Sequence, residues 1–476
     1  MPHALNISQP LTWVFYGVFL VFVTYFLILT AYYIFLAIFG IIEGKKKTHE
    51  GEEEIYGILN SSTFTMPVSV IIPARNEEEW IEDSVRSVLS SRYPEFEVII
   101  VDDGSTDKTL QILVDLLELE AYDKMYVRKY PDGQVREIFR SAKYPNVTVI
   151  SNSSGSKRAG AVNSGLNIAK YKYICGMDGD TIMEPDTLLR VMAQVHRDPE
   201  KVIGIGSYFG ILNGFKIKDG RIIDRKFSYK PIVAYQNLEY IRSFVGTRIA
   251  WSRFNAMPNV PGGFGIWRRD IFHELGGYSK DFTCEDVEFT FRVHDYLAKN
   301  KDKGYKIKML PYVSVWTEGP SDVKALIIQR NRWQRVMDET VWKYKYMTFN
   351  PKFGSFGSLT LPYFIMYEAL GVFFEVGSVF AVLLGAILGI LQVNVFLAYI
   401  SLMILSQAVV SILSIFAFVR SQRGLTLKYV LYLLGLSFVE FFWYRWIVSF
   451  AKVAGTVSYL KKDREYTMYQ REKRER

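Results

Sequence analysis

Residues 11–42 are apolar or aromatic almost without interruption or charge. That run exceeds the ~20 residues a helix needs to cross the hydrocarbon of a bilayer. It is too long for a signal-peptide core, and it lacks a basic start and a small-residue cleavage site. It therefore predicts a retained transmembrane helix. Lys45, Lys46 and Lys47 follow directly, which by the positive-inside rule places the next stretch in the cytoplasm. Three further apolar zones, 359–391, 393–419 and 429–450, lie towards the other end, and the middle is mixed like a soluble enzyme. The expected organisation is a transmembrane helix in 1–47, an acidic polar linker in 48–66 and a cytoplasmic catalytic domain in 67–322. An amphipathic interfacial helix in 323–358, transmembrane or interfacial helices in 359–460 and a basic cytoplasmic tail in 461–476 complete it. Such a chain is a multi-pass integral protein of the cell membrane.

Charge and cysteine usage agree with that placement. The net charge is +8, much of it in the flanks and tail, where basic residues mark the cytoplasmic side rather than a nucleic-acid partner. Cys175 and Cys284 have no metal-ligand spacing and imply no disulfide framework. They read as small buried residues in a reducing compartment. Glu368, Glu375 and Glu440 are costly in lipid, so they are expected to face protein, water or the interface. Arg420, Arg423 and Lys428 mark a cytoplasmic loop, and the basic tail prefers the same side. Three full C-terminal spans would put that tail outside. Either one zone is interfacial or re-entrant, with the start of 359–391, which holds Pro362, and the broken 440–460 stretch as the two candidates, or the tail breaks the rule.

Within the soluble part, strand, polar turn and helix repeat. Residues 68–73, 96–101, 147–150 and 173–177 read as buried strands, and helical patterns follow at 80–91, 109–117 and 159–169. This is the pattern of an open parallel α/β sheet, which binds ligands outside the carboxyl ends of its strands. Residues 121–146 read as a basic surface excursion with a hairpin signal at Pro131-Asp132-Gly133; a second hairpin is expected at Lys218-Asp219-Gly220. Residues 235–253 suit either a membrane-surface helix or core packing, and residues 261–265 a flexible loop.

The strand ends carry the chemistry. Asp178-Gly179-Asp180 sets two carboxylates at one strand end, where they can share a hard cation that keeps positions open for phosphate oxygens. Asp102 and Asp103 end a neighbouring strand, beside the turn Pro73, Ala74, Arg75, Asn76 and Glu77. Carboxylates there can accept hydrogen bonds from a base N–H and from ribose hydroxyls, or be solvated turns with helix caps. Glu285 and Asp286 open a helix, where acidic residues also suit the dipole. Gln329, Arg332 and Trp333 share one helical face at i, i+3 and i+4, a face that could equally anchor a surface helix.

Taken in order, six motifs over roughly 67–346 resemble the membrane-embedded family 2 nucleotide-sugar glycosyltransferases, the group of cellulose, chitin and hyaluronan synthases. They are Pro73-Ala-Arg-Asn-Glu77, Val101-Asp-Asp-Gly-Ser-Thr-Asp107, Arg158-Ala-Gly-Ala-Val-Asn163, Asp178-Gly-Asp180, Thr283-Cys-Glu-Asp286 and Gln329-Arg-Asn-Arg-Trp333. The resemblance implies a GT-A-like α/β catalytic domain, Rossmann-like in its nucleotide-sugar binding, joined to an α-helical transmembrane region. It implies an inverting, processive hexosyl- or N-acetylhexosaminyltransferase that moves sugar from a UDP-sugar donor to a growing polysaccharide, with Mg²⁺ or Mn²⁺. The alternative is transfer of one sugar to a lipid acceptor; a sugar-binding scaffold without activity is a third reading.

The residue roles follow from the same resemblance. Pro73, Ala74, Arg75, Glu77, Asp102 and Asp103 would hold the nucleotide, with Asp180 the direct metal ligand and Asp178 a second metal ligand or a nucleotide contact. The family usually has Lys where Arg158 stands; Lys157 precedes it, and either cation could touch the nucleotide. Asp286 would be the general base, with Glu285 beside it and only one of the two pointing in. Gly262 and Gly263 would floor the acceptor pocket. Gln329, Arg330, Arg332 and Trp333 would grip diphosphate and stack on the acceptor sugar. Three or four spans make a narrow channel at best, which leaves room for a homo-oligomer or a partner in export.

Overall fold

The computed structural model describes residues 9–52, 65–153, 155–419 and 425–462. The chain begins with one helix, α1 (Gln9–Glu52), of 44 residues. It runs on through Lys45, Lys46 and Lys47 to Glu52, so the expected boundary at 47 is not a break: lysine is a good helix former. The rest of the expected linker, 53–64, lies outside the described residues.

The soluble domain then alternates strand and helix. Its first half comprises β1 (Val68–Ala74), α2 (Ile81–Leu89), β2 (Phe96–Asp102), α3 (Thr109–Leu117), β3 (Leu119–Ala121), β4 (Val135–Ser141), β5 (Val147–Asn152), α4 (Lys157–Ile168) and β6 (Tyr173–Met177). The second half comprises β7 (Ile182–Met183), α5 (Thr187–His196), β8 (Val202–Ile211), β9 (Lys216–Lys218), β10 (Arg221–Asp224), α6 (Pro231–Tyr240), α7 (Ile249–Arg253), β11 (Phe264–Arg268), α8 (Arg269–Leu275), α9 (Glu285–Lys299) and β12 (Lys306–Thr317). Ten strands form one sheet in the order β3-β4-β5-β2-β1-β6-β11-β8-β12-β7. The β5-β2-β1-β6 centre is parallel, as the pattern predicts. Val70, Ile72, Val98 and Ile100 are fully buried, as both-face coverage by helices requires.

Two features differ from the sequence pattern, and a third decides between the two readings open for residues 235–253. The 121–146 excursion contributes β4, which pairs antiparallel with both β3 and β5 at the sheet edge. Pro131-Asp132-Gly133 makes no tight hairpin turn there. Asn163 Nδ2 donates to Pro131 O at 2.9 Å and Lys280 Nζ donates to Asp132 O, so that segment packs against α4. The second difference is β11, which enters antiparallel between β6 and β8. The third is residues 231–253, which form α6, a π-helical stretch at Ile241–Arg248, and α7. Tyr235, Ile241, Val245 and Trp251 are buried, so core packing is what this segment does. The hairpin at 218–220 is present as β9 and β10.

After β12 come α10 (Val323–Tyr344), π-helical and short α turns through Phe356–Ala369, α11 (Gly371–Ile387), α12 (Val393–Val419), α13 (Leu427–Val439) and α14 (Tyr444–Leu460). Among the described residues, Thr12–Lys47 and Val393–Val419 are long and apolar enough to cross a membrane. Two further pairs qualify only as bent units: Phe356–Ala369 with Gly371–Ile387, bent by 45°, and Leu427–Phe442 with Tyr444–Leu460, bent by 55°. Arg420 and Arg423 and the tail beyond 462 lie outside the described residues.

The costly charges of the bundle face protein. Arg242 donates to Glu440 through both terminal nitrogens, at 2.7 and 2.9 Å, and to Ser411 at 3.2 Å. Arg445 pairs with Glu375 and donates to Gln407 at 3.1 Å. Lys452 reaches Glu368 at 3.2 Å, and Tyr363 donates to the same carboxylate at 3.0 Å. Each buried carboxylate thus has a cation, the condition under which such groups are tolerated.

Candidate active site

Three parallel strands end side by side. Ala74, last in β1, stands in register with Asp102, last in β2, and Asp178 follows directly on β6. The turn after β1 is tied to the turn after β2. Asp103 N–H donates to Ala74 O at 2.8 Å, Asn76 N–H to Ser105 Oγ at 3.0 Å and Glu77 N–H to Thr109 Oγ1 at 2.8 Å. Pro73 pairs with Val101 in the strands, and Arg75 is exposed at the rim beside Gly155.

The two carboxylates after β2 do different things. Asp103 accepts from Ser156 N–H and Ser156 Oγ, both at 2.7 Å, and from Asn152 Nδ2 at 3.1 Å. It holds the β5–α4 loop. Asp102 is 2% exposed and accepts from Ser105 N–H at 3.3 Å; burial pushes its carboxyl up, against the pull of Ser105.

Arg158 is the hub of the site. Its Nε donates to Asp178 Oδ1 at 2.6 Å, its Nη1 to Glu285 and its Nη2 to Gly262 O. Burial disfavours its charge, but Asp178 and Glu285 outweigh burial and hold the guanidinium firmly protonated. Lys157, left open beside it in the sequence, has φ of +61° and directs its Nζ to Lys280 O at 3.3 Å, so Arg158 is the cation that meets Asp178. Glu285 is 4% exposed and is occupied by Arg158. Burial pushes Glu285 up despite that partner.

Asp286 sits on the same turn with a different set of donors. Its Oδ2 accepts from Gly262 N–H at 2.7 Å, and its Oδ1 from Val287 N–H at 2.7 Å and from Cys284 Sγ at 3.1 Å. A carboxylate offers about four lone-pair sites, so about one stays for a further donor. Gly262 and Gly263 form a packed turn, not the flexible loop that their composition suggests. A Cβ on Gly262 would stand 3.1 Å from Arg158 Nη1 and 3.3 Å from Asp286 Cβ; one on Gly263 would stand 2.9 Å from the Phe209 ring and 3.1 Å from Asp178 Oδ2. Gly263 O accepts from Asp178 N–H at 3.1 Å. One glycine turn thus has Asp178 on one side and Asp286 on the other.

Asp178 and Asp180 stand at one strand end, Asp178 with its side chain 39% exposed and Asp180 buried. Among the described residues, no group of three or more His, Cys, Asp or Glu is arranged to hold a metal ion by itself. A pair of oxygen donors with no sulfur or imidazole fits a hard cation whose other positions belong to phosphate and water.

The helix α10 divides its motif between two directions. The charge of Arg332 acts on the Cys284 thiol, and Glu339 accepts from Thr283 N–H at 2.9 Å, so that face adjoins the turn carrying Asp286. Gln329 is buried and accepts from Arg330 Nη1 at 2.8 Å. Arg330 does not open into the site: it is 3% exposed, pairs with Glu239 and lies 4.3 Å from the Trp333 ring centre. Its pairing with Glu239 accounts for the departure from the expected substrate contact. Trp333 is 40% exposed.

Two groups near the site escaped the sequence reading. Arg248, at the end of the π-helical stretch, is brought down to about 10 by burial, with Asp286 pulling the other way. Asn163, fully buried in α4, donates to Tyr278 O at 2.8 Å and accepts from Tyr278 N–H at 2.9 Å, which fixes the turn beneath Glu285. Its place in the Arg158 motif was the available signal.

The family models now bear on this geometry. The model described as glycosyl transferase family 2 matches residues 69–276, and the one described as glycosyl transferase family group 2 matches residues 173–439. The chain belongs to the family 2 glycosyltransferases. Among curated relatives of this glycosyltransferase is the poly-β-1,6-N-acetyl-D-glucosamine synthase of Staphylococcus epidermidis, 24% identical over 64% of this chain and 61% of the relative. A second is the probable glycosyltransferase YdaM of Bacillus subtilis, 27% identical over 58% of this chain and 56% of the relative. The matched region thus spans about three fifths of these relatives' own length. The mannosyltransferase PcManGT of Pyrobaculum calidifontis, solved with GDP-Man and Mn²⁺, superposes over 92% of this chain and 99% of its own with a TM-score of 0.51 at 17% identity. That likeness establishes the GT-A-like α/β fold.

Proposed function

We propose that this family 2 glycosyltransferase transfers a sugar, with inversion and repeatedly, from a UDP-sugar to a hydroxyl of a growing polysaccharide. The observation that carries the reading is the single glycine turn that has Asp178 on one side and Asp286 on the other. Donor phosphates and acceptor hydroxyl must meet across a gap of that kind. Asp102, Arg75 and Glu77 would receive the nucleotide. Asp178 and Asp180 would hold Mg²⁺ or Mn²⁺, which supplies neutralising charge for the departing diphosphate. Asp286 takes the proton of the acceptor hydroxyl through its remaining lone pair as that oxygen attacks the anomeric carbon. Glu285, neutralised by Arg158, serves to place that guanidinium rather than to move a proton. Arg332 and Trp333 face the acceptor end. N-acetylglucosamine is the first donor sugar to test, since it is named in the product of the S. epidermidis relative.

We place the catalytic domain in the cytoplasm. α13 has 13 residues, about 20 Å, short of the ~30 Å hydrocarbon. α14 then packs back along α10, which adjoins the catalytic turn. We read the bent α13–α14 pair as the re-entrant unit, which would leave the end of α14 on the catalytic side.

The decisive experiment incubates purified protein in lipid with Mn²⁺ or Mg²⁺ and a panel of radiolabelled UDP-sugars, then separates polymeric, lipid-extractable and free products. High-molecular-weight product from one donor is expected. A lipid-extractable monosaccharide would move the assignment to single transfer onto a lipid. Asp286→Asn is expected to lower the rate by about 10²–10⁴-fold while the protein stays folded; unchanged turnover would remove Asp286 as the base.

A further inference from the structure

The π-helical stretch Ile241–Arg248 ends in an arginine whose donors are not taken up. Arg248 is half-buried, and among the described residues its guanidinium makes no hydrogen bond and no ion pair. Its Cζ stands 4.3 Å from the centre of the Phe244 ring. The ring attracts the charge through its π face but has no oxygen to accept a hydrogen bond. The five N–H donors of the guanidinium therefore stay open. Donors in such a place are met by water or by a ligand.

Packing fixes where those donors lie. A Cβ on Gly40 would stand 2.7 Å from Val245 O, and one on Gly246 would stand 2.6 Å from Ser414 Oγ, so α1 and α12 both press closely on the stretch. Phe244 stacks on Tyr208 at 4.9 Å and meets Phe209 at 6.2 Å. Phe209 is the ring against Gly263, so the packing beneath Arg248 continues to the catalytic glycine turn. The carboxylates whose charges act on Arg248 are Asp286, beside that turn, and Glu368, just before α11. Neither is within ion-pair distance of it. Glu368 is held by Lys452 and Tyr363 instead, and Asp178, at the donor end, has Arg158.

The gap between Arg248 and Asp286 thus has open N–H donors on one side and the remaining lone pair of a carboxylate on the other. A sugar hydroxyl, which donates one hydrogen bond and accepts others, is the complement of that pair. A diphosphate is not, because Asp286 and Glu368 would repel it. We propose that Arg248 binds the acceptor sugar, donating to one of its oxygens so that the attacking hydroxyl lies against Asp286. This assignment rests on the transfer proposed above.

The test uses the full chain in lipid, loaded with UDP and Mn²⁺. Tryptophan fluorescence is followed as tetrasaccharides of N-acetylglucosamine or of glucose are added. Saturable binding of one of the two is expected, about 10–100-fold weaker in Arg248→Gln. Arg248→Lys should restore part of the loss, since it keeps the charge but not the planar fork of donors. Arg253→Gln removes an exposed arginine of α7 and is expected to bind as the wild type does. In turnover, the acceptor KM of Arg248→Gln should rise by the same factor while the donor KM stays within about twofold. Unchanged acceptor affinity in Arg248→Gln, an equal rise in both KM values, or the same loss in Arg253→Gln would overturn the proposal. So would a wild-type protein that binds neither tetrasaccharide. A wild-type protein that binds one of them, with the loss in Arg248→Gln, yet releases no UDP from any UDP-sugar would sink the proposed reaction and support the binding assignment. Should Arg248→Gln fail to fold, Arg248→Lys alone is expected to weaken binding several-fold, and wild-type affinity there would overturn the proposal equally.

Discussion

Replacing Arg158 with Met tests the hub of the site most directly. Met keeps much of the stem volume but removes three donor contacts, to Asp178, Glu285 and Gly262 O. The Asp178 contact counts for little in stability, because that side chain is 39% exposed and its charge is screened. Glu285 dominates: at 4% exposure it would be left as a buried carboxylate without its cation, a loss of about 3–5 kcal/mol. Protonation caps that loss. From the ordinary value of 4.5, protonating Glu285 at pH 7 costs about 3.4 kcal/mol, and at pH 5.5 about 1.4 kcal/mol. An unpaired Glu285 titrates high in the folded state, so the stability of the variant is retained below about 4.5 and lost as pH rises. Arg158→Met should therefore be destabilised by about 3 kcal/mol at pH 7 and by less than half of that at pH 5.5. Adding Glu285→Gln should recover much of the loss, because a neutral amide needs no cation. Denaturant unfolding in mild detergent at the two pH values, run as a double-mutant cycle, measures all four corners. A loss below about 0.5 kcal/mol, or one equal at both pH values, would refute the assignment of Glu285 as the buried partner.

Two further outcomes concern the seam between α10 and α14. A Cβ at Gly455 would stand 2.6 Å from Asn331 O and 2.8 Å from Gln334 Cβ, so Gly455→Val should push α14 off α10. A loss of about 1–3 kcal/mol in thermal unfolding is expected, with lowered turnover because Asn331 lies between Arg330 and Arg332; wild-type behaviour would show that the seam is loose. Asp338, in the same seam, is pushed up to about 6 from 3.8 by burial, against the pull of Thr456, Gln334 and Lys452. Its contribution is complete below about pH 3.8 and is lost as pH rises through about 6. Asp338→Asn should then stabilise the protein by on the order of 1–2 kcal/mol at pH 7.5 and by about half as much at pH 5, after discounting for its partial exposure. Thermal midpoints at those two pH values decide it.

The parallel centre of the sheet was legible because each of its strands is a short apolar run ending in a polar turn, and that local signal survives folding. The carboxylates at the strand ends were legible for the same reason. β11 was not: its partners β6 and β8 flank it only through a non-local pairing that no window of sequence contains. Residues 261–263 looked mobile because glycine permits mobility, whereas their purpose here is close approach to Arg158, Phe209 and Asp178. Arg330 and Arg332 are alike in composition and two positions apart. Only the location of Glu239 on α6 separates the one that is buried from the one that faces Cys284.

The same helix connects the two halves of the molecule. Arg330 bonds Glu239, and Tyr444, first in α14, donates to that carboxylate at 2.9 Å. Thr456, further along α14, donates to Asp338 on α10 at 2.7 Å. α14 is therefore held to α10 near both of its ends, and its neighbour Arg445 is anchored to Glu375 in α11. A shift of α14 cannot leave α10 unmoved without breaking the Thr456–Asp338 hydrogen bond or the bond from Tyr444 to the carboxylate that holds Arg330, and a shift of α11 pulls on α14 through Arg445. On the other face of α10, Arg332 and Glu339 adjoin the turn of Thr283 to Asp286. Rigid packing thus links the apolar bundle to the one carboxylate whose position the proposed transfer depends on. Substitutions in that seam should therefore change turnover without touching a single residue of the cleft.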